Sequence, residues 1–288
     1  MPSLIDIRRR VRSVKNTQQI TKAMKMVSAA KLRKAQEKAL AARPYSSNLR
    51  QMLANVASVA AQDPEAGGNP LLATREENRI LIVAIAADSG LAGGFNSNIL
   101  KMANTFAQQN QDKQLSFEVV GKKARDYFKR RYDTVVGETV EISRTLNFGH
   151  AETIAETIMR RFSEAEVDAV YVFVNEFKSV MAPELSMTKL LPVDVPESSP
   201  DTVVDYLYEQ PPAELLGSLL PKYVKTQIYR ALLESVAAEH AARMTAMDAA
   251  TNNAEEVIDN LTLHMNRVRQ AAITNEIIEI VSGAAALD

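Results

Sequence analysis

Two long stretches of the sequence contain neither glycine nor proline. The first lies between Pro2 and Pro44, and the second lies between Pro221 and Gly283. Because helix interiors exclude both residues, the stretches predict two helices of roughly 60 and 90 Å, at about 1.5 Å per residue. Helices of this length bury one face only against a partner of similar length. This requirement limits the folds that the chain can adopt.

Apolar residues recur along both stretches with the spacing of a coiled coil. The C-terminal seam comprises Met244, Met247, Thr251, Ala254, Ile258, Leu261, Met265, Val268 and Ala272. The N-terminal seam comprises Leu4, Ile7, Val11 and Val14, then a polar break at 16–19, then Ile20, Met24, Val27 and Ala30. An ordinary helical bundle has the same spacing, but no third long helix is visible. We therefore expect a long antiparallel two-helix coiled coil formed by residues 1–62 and 208–288.

Strand and helix patterns alternate between the two long helices. Residues 79–87 (RILIVAIAA) form a continuous apolar run typical of a buried parallel strand. Further strands are predicted at 115–121, 134–142 and 167–177, and helices at 97–109, 122–131 and 151–164. The alternation predicts an inserted Rossmann-like α/β domain over residues 75–200. Four prolines then predict loops that lead to the second long helix: Pro183, Pro192, Pro196 and Pro200.

A glycine-rich turn, Gly90-Leu-Ala-Gly-Gly94, follows the first strand, where nucleotide-binding α/β domains hold phosphate. It matches neither G-x-G-x-x-G nor the P-loop pattern, and no lysine follows to reach a phosphate. A tight turn that needs positive φ angles is the favoured interpretation. Ser89 lacks the glycine two residues before it that a nucleophile elbow requires, and no histidine partner is evident.

Other chemistry-bearing residues form no recognisable constellation. The chain has no cysteine, which excludes disulfides, a thiolate nucleophile and sulfur-ligated zinc. Its three histidines, His150, His240 and His264, are far apart in sequence. The carboxylates Glu255, Glu256 and Asp259 lie on the predicted long helix, where a solvated face is the favoured interpretation. We expect no catalytic residue, no cofactor and no metal.

Charge is distributed unevenly along the chain. Residues 1–50 hold 13 basic and two acidic residues, a net charge of +11, whereas the remainder carries −12. A basic arm suits either an acidic protein surface or nucleic acid. An apolar seam interleaved with the basic residues and few aromatic residues favour the protein surface. No apolar run reaches the length of a membrane-spanning helix, and residues 1–15 have no secretory signal pattern.

Three segments carry a family resemblance that spans nearly the whole chain. Residues 7–36 (IRRRVRSVKNTQQITKAMKMVSAAKLRKAQ) closely resemble the N-terminal signature of the gamma subunits of F-type ATP synthases. Residues 239–258 (EHAARMTAMDAATNNAEEVI) and 266–286 (NRVRQAAITNEIIEIVSGAAA) resemble the C-terminal signature. The central turn looks like the family's S-D-R-G-L-C-G-G motif, with Ser89 where arginine is common and Ala92 where cysteine is common.

The resemblance implies a non-catalytic central shaft. Such a shaft is turned by the proton-driven c-ring inside a hexamer of alpha and beta subunits, and it also meets the epsilon subunit. The implied location is the cytoplasmic side of a bacterial inner membrane, as a peripheral subunit. The implied hexamer contacts are Lys22, Met24, Lys25, Arg243, Arg269, Gln270, Thr274 and Glu276. The implied contacts with the c-ring and epsilon are Tyr206, Tyr208 and Glu209.

Overall fold

A computed structural model describes residues 4–60, 69–179, 183–194 and 210–285. The α-helices are α1 (Leu4–Ala60), α2 (Phe95–Gln109), α3 (Lys122–Phe128), α4 (Phe148–Ser163) and α5 (Pro212–Ala285). The strands are β1 (Arg79–Ile85), β2 (Gln114–Val120), β3 (Val135–Thr139), β4 (Ala169–Phe177) and β5 (Pro183–Leu191). The predicted class, two long terminal helices around an α/β domain, is confirmed. The chain divides into two compact units, unit 1 (Met1–Ser28 with Met244–Asp288) and unit 2 (Ala29–Arg243).

Both terminal helices extend beyond the stretches that lack glycine and proline. Helix α1 continues through Pro44, and α5 begins before Pro221 and passes through it. A proline inside a helix costs about 3 kcal/mol. Helix α1 buries leucines after Pro44, including Leu53, and α5 buries leucines before Pro221, including Leu220. Each fully buried leucine side chain stabilises the fold by about 1.5–3 kcal/mol. Several buried leucines therefore outweigh one proline and keep each helix continuous.

Five strands form the sheet of unit 2, in the order β3-β2-β1-β4-β5. Strands β1 to β4 pair in parallel, with β1 between β2 and β4. The order of the parallel strands is that of the first four strands of a doubly wound Rossmann fold. Strands β2 and β3 are added on one side of β1, and β4 is added on the other side. The carboxyl end of β1 therefore lies at the topological switch point, where ligands bind in such folds.

Strand β5 pairs antiparallel with β4 and was not expected, because the prolines at 183 and 192 predicted loops in this region. That prediction is wrong for residues 183–191. A proline is compatible with a strand at its first residue and at an edge, and Pro183 occupies both positions. A weak signal was present in the sequence, since Leu185 and Met187 alternate with polar residues.

Two apolar layers cover the faces of the sheet. On one face, β1 and β4 pack against α4 and against parts of α1 and α5, through residues such as Val83, Ile158 and Val224. On the other face, β1 and β2 pack against α2 and α3, around Phe117 and Phe128, whose rings stack with centroids 4.7 Å apart. The central strands β1 and β4 are therefore buried on both sides, which explains the continuous apolar run of β1.

In unit 1, α1 and α5 are antiparallel. The Oγ1 atoms of Thr21 and Thr251 are 2.8 Å apart, and Lys25 Nζ lies 2.6 Å from Asp248 Oδ1. As the residue number rises from 21 to 25 along α1, the number of the residue contacted on α5 falls from 251 to 248, as antiparallel packing requires. The less exposed α5 positions follow the predicted seam from Thr251 to Val268. Ala272, the last predicted seam position, is exposed.

Three of the four positions in the second half of the predicted α1 seam are wrong, and only Met24 is half-buried. Ile20 and Val27 are 59% and 54% exposed, and Ala30 is also exposed. The less exposed positions instead continue without a break, with gaps of three and four residues. They are Leu4, Ile7, Val11, Val14, Gln18, Thr21, Lys25 and Ser28. Hydrogen bonds and an ion pair to α5 take the place of apolar contacts along the polar half of this seam.

One carboxyl group is buried in the sheet. Glu118 on β2 is 4% exposed, and its Oε2 has no hydrogen-bond partner among the described residues. Gly137 on β3 makes room for it, because a Cβ there would lie 1.9 Å from Oε2. Burial raises the pKa of Glu118 to about 7, although the nearby charge of Arg161 acts in the opposite direction. The ionised form of this carboxyl group is therefore unfavourable in the folded chain.

We expect Glu118→Gln to reduce the dependence of stability on pH. The folded chain holds this proton up to about pH 7, whereas the unfolded chain releases it near 4.5. Stability is therefore highest below the unfolded pKa and falls by roughly 3 kcal/mol as the pH rises through the folded pKa. Urea unfolding at about pH 5 and about pH 8 measures the difference. Glu138→Gln, on neighbouring β3, is the control, and an equal pH dependence in all three proteins would contradict the prediction.

Candidate functional site: the paired helices and the glycine turn

The predicted contact residues at the N-terminal side lie around the seam of unit 1. Lys22 is exposed, Met24 is half-buried, and Lys25 forms the ion pair with Asp248. Both members of that pair are more than two-fifths exposed, so its contribution to stability is about 0–1 kcal/mol. Among the residues that the structure describes, Lys22 has no ion-pair partner and its charge faces solvent, whereas the charge of Lys25 is directed toward α5.

The predicted contact residues Arg269, Gln270, Thr274 and Glu276 all lie exposed on α5 in unit 1. The hydroxyl of Thr274 donates to the backbone oxygen of Gln270 at 2.9 Å. The structure thus places these four side chains on one stretch of exposed helix and forms no site from them. Tyr206, Tyr208 and Glu209 lie outside the described residues.

Large apolar side chains are exposed along the same helices. On α5 they are Val257, Leu263, Ile273, Ile277, Ile278, Ile280 and Val281. On α1 within unit 1 they are Ile5, Ile20, Met26 and Val27. Ile280 alone is 71% exposed. Contiguous exposed apolar residues of this kind mark surfaces that partners cover. Sequence reasoning assigned Ile20 and Val27 to the seam between the helices, where they would not be available to a partner.

In unit 2, the glycine turn carries the strained backbone that its sequence predicted. It follows β1, and both Leu91 and Gly93 have positive φ angles, 60° and 53°. The side chain of Asn96 accepts from the Ala87 backbone N–H at 2.9 Å and donates to the Ser89 carbonyl. The turn is thereby fixed, and its tip, Leu91, is 63% exposed.

The helix α5 occupies the position where a phosphate would bind in a doubly wound fold. Arg243 donates to Ser89 Oγ at 2.8 Å and to the Gly90 carbonyl at 3.2 Å. Ala238 of the same helix packs with Ala87, Ala92 and Phe95. The turn is therefore a docking point for a helix of its own chain. Ser89 accepts a hydrogen bond from a guanidinium there, an arrangement that does not activate a nucleophile.

Two buried residues of α5, Glu239 and His240, contact the side chain of Arg243. Its guanidinium lies 2.7 Å from Glu239 Oε1 and 3.4 Å from His240 Nδ1. Burial raises the pKa of Glu239, with Arg243 acting in the opposite direction. Burial, together with the charges of Arg243 and Lys31, lowers the pKa of His240 to about 4. The cluster thus holds the paired Glu239 and Arg243 side chains beside an imidazole that is neutral at neutral pH.

Sequence reasoning placed Arg243 at a partner surface and did not find this cluster. The structure shows the Arg243 side chain 9% exposed, with its hydrogen bonds directed into unit 2. A signal was available in the sequence. Glu239 and Arg243 are four residues apart on a helix, and alanines adjoin both, a pattern that favours a buried ion pair.

The remaining candidates for chemistry are dispersed. Glu255, Glu256 and Asp259 are exposed on α5, as expected for a solvated face. His150 takes part in the N-terminal cap of α4 with Asn147. Across the described ranges, no group of three or more histidine, aspartate or glutamate side chains could hold a metal ion. No helix in those ranges combines the length and apolar character needed to cross a membrane.

Comparisons with known proteins agree with this architecture. A family model described as ATP synthase matches residues 3–287. The ATP synthase gamma chain of Solibacter usitatus is 58% identical over 288 residues, covering all of both chains. The ATP synthase gamma chain of Pelotomaculum thermopropionicum is 48% identical over 291 residues, again covering all of both chains.

Solved structures show the same fold. A chain of the Tetrahymena thermophila mitochondrial ATP synthase central stalk and c-ring has a TM-score of 0.63 at 26% identity, covering 80% of this chain and 99% of that one. A chain of the Euglena gracilis mitochondrial enzyme has a TM-score of 0.68 at 17% identity, covering 99% and 94%. The fold is thus that of a coiled-coil stalk protein with an inserted α/β domain. By identity over its full length, the chain belongs to the ATP synthase gamma chain family and is a subunit of that complex.

Proposed function

We propose that this chain is the central-stalk rotor of an F-type ATP synthase and contributes no catalytic residue of its own. The observation that carries the proposal is the exposed apolar surface on α1 and α5 of unit 1. In water such a surface is unfavourable, so a partner that encloses the helices accounts for it. Alpha and beta subunits arranged as a ring around the helices are the partners that family membership supplies.

The proposed mechanism is a shift of conformational populations by unequal contact. A single pair of helices within a three-fold ring presents a different face to each catalytic site on the beta subunits. Each site is then biased toward a different conformation, because a ligand shifts an equilibrium by its differential affinity for the two states. Rotation driven by the c-ring moves every site through all the states, which couples proton flow to ATP synthesis or hydrolysis.

Particular contacts within this proposal are assigned by position in the family. Lys22, Met24, Lys25, Arg269, Gln270, Thr274 and Glu276 are proposed to meet the hexamer. Five of these side chains are exposed, and those of Met24 and Lys25 are half-buried. Arg243 is proposed to act on the hexamer through the turn that it holds, since its own guanidinium is buried. Tyr206, Tyr208 and Glu209 are proposed to meet the c-ring and the epsilon subunit. The proposed location is peripheral, on the cytoplasmic side of a bacterial inner membrane.

Domain limits remain part of the proposal. Residues 1–62 and 208–288 are proposed as the coiled-coil segments, and residues 75–200 as the inserted domain that connects the shaft to the membrane ring. Helix α5 also packs against the inserted sheet through Leu220 and Val224. Torque applied at the inserted domain would therefore pass into the helices through packed side chains.

A single-molecule rotation assay tests the proposal directly. The chain has no cysteine, so one introduced at exposed Gln108 on α2 gives a unique attachment point for a bead. With alpha and beta subunits of the same organism fixed to a surface, we expect a complex with one copy of this chain and stepwise, unidirectional rotation that depends on ATP. A chain that forms no complex but binds DNA with a steep salt dependence would contradict the rotor and support a nucleic-acid role for the basic arm.

A further inference from the structure

Unit 2 contains a cavity of about 640 Å³ that the rotor function does not use. It lies between one face of α1, one face of α5 and the β4–β5 edge of the sheet. Its volume falls within the range of roughly 300–1,000 Å³ that is typical of sites for small molecules. The cavity is therefore large enough to bind a small molecule.

The α1 wall is a row of cations and hydroxyls. Arg43, Ser46, Ser47 and Arg50 line the cavity at positions i, i+3, i+4 and i+7, which share one face of a helix. The two arginines are thus separated by about two helical turns, or roughly 10 Å along the axis. With respect to the residues that the structure describes, neither Arg43 nor Arg50 forms an ion pair or a hydrogen bond. Both guanidiniums are available to an anion.

The α5 wall adds a third guanidinium and a phenol. Tyr223, Gln227 and Arg230 line the cavity at the same helical spacing. Burial and the charge of Asp194 raise the pKa of Tyr223, while the charges of Arg50 and Arg230 act in the opposite direction. Both guanidiniums line the same cavity as the phenol. Cations from two helices thus line one open cavity.

The lining of the cavity holds five cations and three carboxylates, and two carboxylates outside the lining pair with its lysines. Glu234 is buried and accepts from Arg230 Nε at 3.0 Å, which leaves the other two nitrogens of that guanidinium for a ligand. Lys178 and Lys189 also line the cavity, but Glu184 and Glu77 pair with them. The other two carboxylates that line the cavity are those of Asp194 and Glu176. Within the described part of the chain, two of the five cations, Arg43 and Arg50, have no ion-pair partner, and Arg230 is only partly used.

The floor of the cavity is apolar. Val172 and Val174 of β4, Ile228 of α5 and Phe177 at the end of β4 line it. A ligand that matches both parts carries several negative charges at one end and an apolar or aromatic body at the other. A single inorganic anion would satisfy the arginines and leave the floor uncovered.

We propose that this cavity binds a small molecule that carries two or more phosphate groups, held by Arg43, Arg50 and Arg230, with its organic body on the valine floor. Guanidiniums bind phosphates through paired, charge-assisted hydrogen bonds, and the Ser46 hydroxyl and the Tyr223 phenol are further donors. The Ser47 hydroxyl donates to the Pro44 carbonyl oxygen and can only accept. The separation of the arginines suits a diphosphate better than a single phosphate. The site belongs to unit 2 alone and does not depend on the rotor function.

Calorimetric titration of the full chain with pyrophosphate and with ADP tests the proposal. We expect saturable binding of at least one probe with a stoichiometry of one. Arg43→Gln combined with Arg50→Gln should weaken it roughly tenfold or more, which corresponds to the loss of one charge-assisted hydrogen bond or more. The matched control combines Arg33→Gln with Lys38→Gln, which removes the same charge from exposed positions on α1 outside the cavity. All these positions are exposed, so the variants should fold.

The pattern of binding decides the outcome. Binding of both probes, or of ADP alone, that is lost only in the cavity variant supports the site, and ADP alone would show that the floor is required. The absence of saturable binding at millimolar concentration would overturn the proposal. Equal weakening in the cavity and control variants would also overturn it, because it would show attraction to the overall charge of the helix.

Discussion

Arg243→Ala should destabilise unit 2 by roughly 3–5 kcal/mol, although position 243 lies far from every strand in sequence. The substitution leaves the buried Glu239 carboxylate without its cation and Ser89 without its donor. Removing one partner of a buried pair costs more than the pair contributes, because the remaining charge stays desolvated. Glu239 would then be expected to take up a proton, and the docking of the glycine turn on α5 would loosen.

Urea unfolding followed by circular dichroism measures this loss at about pH 7.5. The decisive control is Glu239→Leu combined with Arg243→Leu, which removes both charges and keeps apolar volume at the site. We expect the double variant to recover most of the stability that Arg243→Ala loses. If both variants are equally unstable, the geometry of the arginine rather than the stranded carboxylate is what matters. If Arg243→Ala unfolds like the parent chain, the buried pair has no structural role.

The class of fold could be predicted because its signals are local. Glycine and proline mark the limits of long helices within the sequence itself, and the apolar run of β1 reports burial on both faces. The same holds for the glycine turn, whose positive φ angles at Leu91 and Gly93 follow from a tight connection. None of these features needs a residue from elsewhere in the chain to be recognised.

Features that depend on distant partners could not be predicted. The α1 seam runs through Thr21 and Lys25 because Thr251 and Asp248 face them, and neither partner is visible from the α1 sequence. An apolar criterion chose Ile20 and Val27 instead, and these residues are exposed. Strand β5 is similarly defined by its pairing with β4, which compensates for the proline at its start.

The same reason explains why the candidate site was only partly anticipated. The family resemblance predicted that Arg243 contacts the hexamer. The hydrogen bonds that Arg243 forms in the structure depend instead on the approach of α5 to the turn after β1. That approach fills the crevice that a doubly wound fold normally leaves for a ligand. A fold that elsewhere binds nucleotides here anchors a helix, so the function lies in the helices and not in the crevice.

Gly121→Ala should be the most damaging glycine substitution in the inserted domain, with a loss of about 4 kcal/mol or more. Gly121 connects β2 to α3 with φ at 91°, and a Cβ there would lie 2.1 Å from the Ala86 carbonyl oxygen. The obstructing atom belongs to the backbone of Ala86, directly after β1. This backbone cannot move without breaking the hydrogen bond from the Ala86 N–H to the Val120 carbonyl oxygen. Backbone strain of about 1–3 kcal/mol adds to the clash.

Gly90→Ala is the matched control, because it makes the same chemical change in the neighbouring turn. No atom lies within 4 Å of the Cβ that it would add, so we expect a change of less than about 1 kcal/mol. Urea midpoints of both variants, with the soluble fraction after expression as a second measure, give the comparison. Gly121→Ala should unfold at a clearly lower urea concentration or fail to accumulate in soluble form. Similar midpoints and yields for the two variants would show that the connection after β2 can relax, and that the close approach of Gly121 to Ala86 does not restrict this position.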